Sequence, residues 1–220
     1  MGQDLLTPNQ LKILEFASKD KEITSQFFLT GGTTLSYFYF KHRFSEDLDF
    51  FSEQEYDTKI VMNWVSKTGD KIRAEKVEQQ TLTGQDVYYF YFSPKESVKV
   101  DFAYFPFSPL GKFNKFNKLR ISSIEDIAIN KVHALTTRNR SRDYLDLYFC
   151  MKKLSWNSSD LIKNYRLKFD VNLPIEQLAT SFVKVVDSKD TPIFLGENDF
   201  NLVKDYFLSK AENLKKEIIR

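Results

Sequence analysis

Two carboxylates, Asp47 and Asp49, stand one residue apart in the run Arg43-Phe-Ser45-Glu-Asp47-Leu-Asp49-Phe50-Phe51. Side chains alternate across an extended strand, so both acids fall on one face and Leu48 on the other. Adjacent carboxylates repel each other unless a cation sits between them. A hard divalent ion with oxygen ligands resolves that repulsion; Mg²⁺ carrying the phosphates of a nucleotide is the candidate, with Mn²⁺ as an alternative. Upstream, Phe28-Leu-Thr-Gly31-Gly32-Thr33-Thr34-Leu35 places a glycine pair where a strand should meet a helix. Glycine lets backbone approach phosphate closely, and the N–H groups of a helix starting at Thr33 would be aimed at the anion. The combination points to phosphoryl or nucleotidyl transfer.

The elements that must hold these residues follow from periodicity and punctuation. Thr7-Pro8 reads as a helix cap followed by a first-turn proline, opening an amphipathic helix to about residue 18. A buried strand is predicted over 26–30, a short helix over 33–40 and a second strand over 47–51. A helix over 57–68 should end at Gly69. Strands are predicted over 73–80, 86–92 and 98–104, the first two joined by a hairpin near Thr83-Gly84. From Ser122 the pattern turns helical, with helices over 124–137, 141–153, 158–168 and 174–183 and from Phe200 to near the end. This change of element type near residue 121 suggests two lobes.

Taken jointly, Gly31-Gly32 followed by Arg43-x-Ser45-x-Asp47-x-Asp49 and two phenylalanines resembles the opening of the AbiEii/AbiGii-type nucleotidyltransferase toxins, within the polymerase-beta-like nucleotidyltransferase superfamily. The resemblance runs over about residues 25–150. It implies an α+β fold: a nucleotidyltransferase-like mixed sheet flanked by helices over 1–121, then a helical region over 122–220 that completes the nucleotide site. It also implies an Mg²⁺-dependent enzyme that takes an NTP as substrate. The acceptor would be RNA, especially a tRNA 3′ end, and a cognate antitoxin would be the protein partner of a toxin–antitoxin or phage-defence pair.

Further residues join the candidate site with alternatives open. Val98 and Val100 should face the core and Lys99 and Asp101 the opposite side. Asp101 reads either as a surface residue or, by the resemblance, as the third carboxylate of the metal site. In the helix over 124–137, Lys131 falls near the centre of an apolar arc. There its ammonium must reach solvent, a phosphate or a carboxylate. The stretch from Asp126 through Lys131 to Arg138, followed by Arg142-Asp143-Tyr144-x-Asp146-Leu147, resembles the family's second signature. By that resemblance Lys131 contacts nucleotide phosphate and Asp143 supports the site. Asp143 and Asp146, three apart on one helix, also fit a salt-bridge network with the neighbouring arginines. Arg43 could bind triphosphate or neutralise Asp49. Ser45 could contact phosphate, accept a modification or serve a turn.

Bulk properties narrow the rest. The chain has 220 residues, 42% hydrophobic and 28% charged, as in an ordinary globular protein. A net charge of +2 does not mark a general nucleic-acid binder, so any RNA contact must come from local patches. One such patch runs from Lys112 through Lys115 and Lys118 to Arg120, interleaved with aromatics; an exposed connector is its plainer reading. A single cysteine, Cys150, excludes an internal disulfide framework and favours a reducing compartment. The first residues carry no signal-peptide pattern, Leu6 breaks the myristoylation pattern, and no apolar run is long enough to span a bilayer, so a cytoplasmic location is expected. Two histidines are too few for a zinc site with Cys150. P-loop, serine-hydrolase elbow and protein-kinase signatures are absent. The rival readings are a phosphotransferase, a transferase acting on a small molecule, and a nucleotide-binding interaction module without turnover.

Overall fold

The structure is a computed structural model that describes residues 5–82, 84–188, 190 and 199–219. It divides into two units. One takes the chain up to Ser108 together with Lys112–Ser122; the other takes Pro109–Gly111 and the chain from Ser123 onward.

The first unit is built on one mixed sheet. Helix α1 (Pro8–Lys19) opens with a capping box in which Thr7 and Gln10 exchange side-chain and backbone hydrogen bonds. It is followed by α2 (Lys21–Gln26), capped by Asp20. The strands are β1 (Phe28–Thr30), β2 (Asp47–Ser52), β3 (Lys76–Leu82), β4 (Gln85–Ser93), β5 (Glu96–Tyr104), β6 (Asn114–Phe116) and β7 (Leu119–Ile121), and they lie in the order β3-β4-β5-β2-β1-β7-β6. The β2–β5 and β1–β7 pairs are parallel and the others antiparallel. Between β1 and β2 runs a short helix, α3 (Gly31–Thr34), continued by a π-wound stretch, Leu35–Phe40, that ends at Lys41 in the left-handed region. Helix α4 (Thr58–Ile72), capped by Asp57, connects β2 to β3.

Alternation sorts the two faces of the sheet. Leu29, Leu48, Phe50, Val100, Phe102 and Ile121 point to one side and form a core with Ile13, Leu14, Ile23, Val61 and Trp64 from the helices. Phe50 and Phe102 stack with centroids 5.2 Å apart across the parallel pair. Each such large side chain contributes about 1.5–3 kcal/mol by leaving water. The opposite face carries Thr30, Asp47, Asp49, Lys99 and Asp101. The apolar face thus fixes the register that gathers the acids.

Several expectations change in detail. Gln26 closes α2 instead of opening a strand. The glycine pair lies within the first turn of the helix predicted at Thr33. Gly69 does not end α4 but lies inside it, where an added Cβ would come 3.0 Å from Val77 Cγ2, so glycine there serves close contact with β3. The basic stretch read as a connector contains the β6–β7 hairpin. Gly84, at φ +75°, sits in the β3–β4 turn, while Thr83 lies outside the described residues, as do Met1–Asp4 and Arg220.

The second unit is helical: α5 (Ile124–Thr137), α6 (Ser141–Leu154), α7 (Ser158–Phe169), α8 (Ile175–Val183), a 3-10 turn (Lys184–Asp187) and α9 (Phe200–Ile218). Tyr144, Phe182 and Phe207 centre its core, and the Tyr144 hydroxyl donates to Ser181 O at 2.7 Å. Buried Asp126 accepts from the backbone N–H groups of Leu110 and Gly111, from Ser123 and from the Lys168 ammonium, which ties 109–111 to this unit. Cys150 is fully buried, and that burial pushes its thiol pKa well above the ordinary value. Among the described residues no helix is long and apolar enough to cross a membrane.

Candidate active site

Strand register assembles the acids. Thr30 on β1, Asp49 on β2 and Asp101 on β5 are successive cross-strand partners, and Asp47 is the partner of Lys99. Asp47 and Asp49 therefore share a face, as their spacing predicts, and Asp101 stands on that same face with them. Asp101 is 4% exposed, so it is no surface residue. Its Oδ1 and the Thr30 hydroxyl are buried without a hydrogen-bond partner. Such orphaned atoms are costly in a finished core and mark a place for a ligand atom.

The glycine pair has a steric cause visible in the structure. Gly31 adopts φ +80°, and a Cβ on it would overlap the Asp49 carboxylate, with Asp49 Cγ at 2.7 Å. A Cβ on Gly32 would overlap the Arg43 guanidinium and come 3.2 Å from Ser45 Oγ. Asp49, Arg43 and Ser45 thus crowd onto bare backbone. Arg43 is itself buried and donates from Nη1 to Phe44 O at 2.8 Å. The Thr33 hydroxyl donates to Asp47 O and so ties the helix to the start of β2. Gln10 of α1 pins the approach to β2, donating to Ser45 O at 3.0 Å and Glu46 O at 2.8 Å.

Lys99 is the member whose part the sequence did not disclose. Its ammonium donates to Asp101 Oδ2 and lies 3.9 Å from Asp47 Oδ2. Burial works to lower the Lys99 pKa, but the bond to Asp101 and the charges of Asp47, Asp101 and Asp49 carry it above the ordinary value. Asp101 is also displaced upward. Burial is the largest cause, and the neighbouring Asp47 charge adds to it against the pull of Lys99. One ammonium does not offset the desolvation and the acid neighbour together. The only advance signal was the i, i+2 placement of Lys99 and Asp101 on one strand face.

The second signature forms its own cluster in the helical unit. Lys131 is 7% exposed, and its ammonium lies 2.7 Å from both Asp143 Oδ1 and Asp146 Oδ2. Arg138 adds two bonds to Asp143, at 2.8 and 3.1 Å. Of the three environments open to Lys131, the structure shows carboxylate partners. Burial would raise the Asp143 pKa, but Lys131 and Arg138 hold it below the usual carboxylate range.

As to a metal, no three His, Cys, Asp or Glu side chains among the described residues stand in a metal-holding arrangement. The donor chemistry fits a hard cation nonetheless. Asp47, Asp49 and Asp101 are oxygen donors on one face, one buried oxygen is unpartnered, and a cationic group already lies among them.

Residues 16–214 match the family model described as nucleotidyl transferase AbiEii toxin, type IV TA system. A protein of Aquifex aeolicus, aq_aa25, is 28% identical over 194 residues, spanning 86% of this chain and 88% of that one. Among solved structures, JHP933 from Helicobacter pylori aligns with a TM-score of 0.64 at 20% identity, covering 95% of this chain and 90% of that one. MenT4, a nucleotidyltransferase toxin from Mycobacterium tuberculosis, aligns at 0.56 and 12% identity, covering 94% and 84%. At these identities the solved structures speak to the fold alone, and they share the mixed α+β architecture.

Proposed function

The chain belongs to the AbiEii nucleotidyltransferase toxin family, and from that premise we propose that it transfers NMP from an NTP to the end of an RNA, a tRNA 3′ end above all, as the toxin of a toxin–antitoxin pair. The observation that carries the site assignment is the cross-strand row Thr30–Asp49–Asp101, with an unpartnered Asp101 oxygen and with Asp49 packed against Gly31. Asp47, Asp49 and Asp101 would hold Mg²⁺. When bound, that ion supplies Lewis-acid neutralisation of the triphosphate.

The chain's own groups account for the remaining work. Gly31, Gly32 and Thr33 offer backbone N–H groups to the triphosphate, and Arg43 and Ser45 border the same backbone. Asp101 takes the proton of the attacking hydroxyl on Oδ1, a role suited to a carboxyl held above its ordinary range. The acceptor oxygen bonds to the α-phosphorus as the bond to the bridging oxygen breaks, and pyrophosphate leaves. Lys131, which the family signature assigns to phosphate, is bound to Asp143 and Asp146 within the helical unit. Catalysis of this kind is largely positioning and electrostatics.

Support for an RNA acceptor comes from Lys112, Lys115 and Lys118, all exposed on or beside the β6–β7 hairpin and interleaved with Phe113 and Phe116. The family description supports an antitoxin as partner. Incubation with each α-labelled NTP and total RNA tests the reading. Label on RNA with release of pyrophosphate is expected. Transfer of γ-label alone, or label on protein only, would replace it with a phosphotransferase.

A further inference from the structure

The site face holds three carboxylates and one ammonium in a cross-strand square: Asp47 opposite Lys99, Asp49 opposite Asp101. Cross-strand alternation would place any residue at 99 on this face, yet a lysine stands there. Its Nζ is bonded to Asp101 Oδ2 and lies 3.9 Å from Asp47 Oδ2, within the set of oxygens a hard cation would use. The ammonium is monovalent and serves Asp101 and Asp47, and Asp101 Oδ1 remains buried without a partner. The Lys99 side chain keeps 28% of its surface in water, so its flexible stem can withdraw without unfolding the strand.

We propose that Lys99 is a resident cation: it holds the carboxylates together in the metal-free protein and gives up its place to an incoming divalent ion, thereby setting the affinity for that ion. This rests on the metal reading above. An ordinary surface ion pair would cover one acid and leave metal affinity alone. Lys99 instead opposes metal twice, through its charge and through its occupation of Asp101 Oδ2. Its conservative replacement by arginine keeps the charge, whereas glutamine removes it.

The test uses the full chain and Mn²⁺ as probe, with free Mn²⁺ followed by electron paramagnetic resonance. Lys99→Gln is expected to bind Mn²⁺ about tenfold tighter than wild type and Lys99→Arg within about twofold of it. Without metal, Lys99→Gln should melt below wild type, and saturating Mn²⁺ should close the gap. If Lys99→Gln is folded by circular dichroism and binds Mn²⁺ no more tightly than wild type, the resident-cation proposal fails while the metal site stands. If wild type and variant alike bind no Mn²⁺, the metal reading fails and takes this proposal with it. A second measurement avoids dependence on the variant's folding. After reductive ¹³C-methylation of the wild-type chain, the Lys99 resonance, identified by its loss in Lys99→Arg, should shift on addition of Mg²⁺. A resonance unmoved at saturating Mg²⁺ would overturn the displacement.

Discussion

Asp49 on β2 and Asp101 on β5 stand directly opposite each other across a parallel pair, so two carboxylates share one cross-strand site. Like charges so placed destabilise a sheet. The apolar partners Leu48–Val100 and Phe50–Phe102 on the other face hold that register.

Removing one acid should therefore cost activity rather than stability. Asp101 has a raised folded pKa, so its contribution to stability is most favourable below the ordinary value of 3.8 and is lost as pH rises through the folded pKa. At neutral pH, Asp101→Asn is expected to melt no lower than wild type in the presence of EDTA. Turnover of α-labelled NTP should fall about 100-fold or more for Asp101→Asn and for Asp47→Asn. Near wild-type turnover in either variant would remove that residue from the site.

Gly31→Ala should be damaging by two routes. It forces a side chain to φ +80° and drives a methyl into the Asp49 carboxylate. A loss of about 1–3 kcal/mol in urea unfolding is expected, together with loss of turnover. Gly84→Ala makes the control. It has φ +75° but open space around the added methyl, so it should cost about 1 kcal/mol and leave turnover intact.

Lys131 provides the ammonium shared by buried Asp143 and Asp146, so Lys131→Met should lose about 3 kcal/mol. The apolar arc of α5 would by itself welcome methionine; the two carboxylates reverse that expectation. Asp143 has a depressed folded pKa, so its stabilisation is present above about pH 4 and is lost as pH falls through the folded value. Melting temperature followed from pH 6 downward should fall less steeply in Asp143→Asn than in wild type. Equal slopes would show that Asp143 adds nothing to the acid response.

Lys112, Lys115 and Lys118 are exposed, so reversing all three to glutamate should leave the fold unchanged within about 0.5 kcal/mol. If RNA is the acceptor, RNA labelling should drop at least about tenfold, with a steeper loss at higher salt in wild type than in the variant. NTP binding measured by calorimetry should change little. Equal loss of NTP binding and RNA labelling would place these lysines at the nucleotide instead.

Much of this was legible in the sequence because period and punctuation are local. The Asp-x-Asp spacing, the alternation through Val98–Asp101 and the cap at Thr7 each depend on a few neighbouring residues, and the structure keeps them. What stayed hidden depends on partners distant in the chain. The β6–β7 hairpin is only three residues per strand, and β7 is a strand because Leu29 and Phe28 of β1 pair with it. Gly69 reads as a helix end until Val77 is seen packed on it. The partners of Lys131 lie twelve and fifteen residues away, and periodicity on α5 could show only that partners were needed. Lys99 was visible as a face-mate of Asp101, but its nearness to Asp47 requires the β2–β5 register.

Cys150 carries a practical consequence. It is the only thiol in the chain, it is fully buried, and its pKa lies well above the ordinary value. Thiolate is the reactive form, so maleimides and spin labels should pass it by in the native protein. The wild-type sequence is thus already a silent background for labelling. A cysteine placed at exposed Lys112 or Lys118 would take a probe selectively, so distances could be measured as nucleotide or RNA is added, with no prior cysteine to remove.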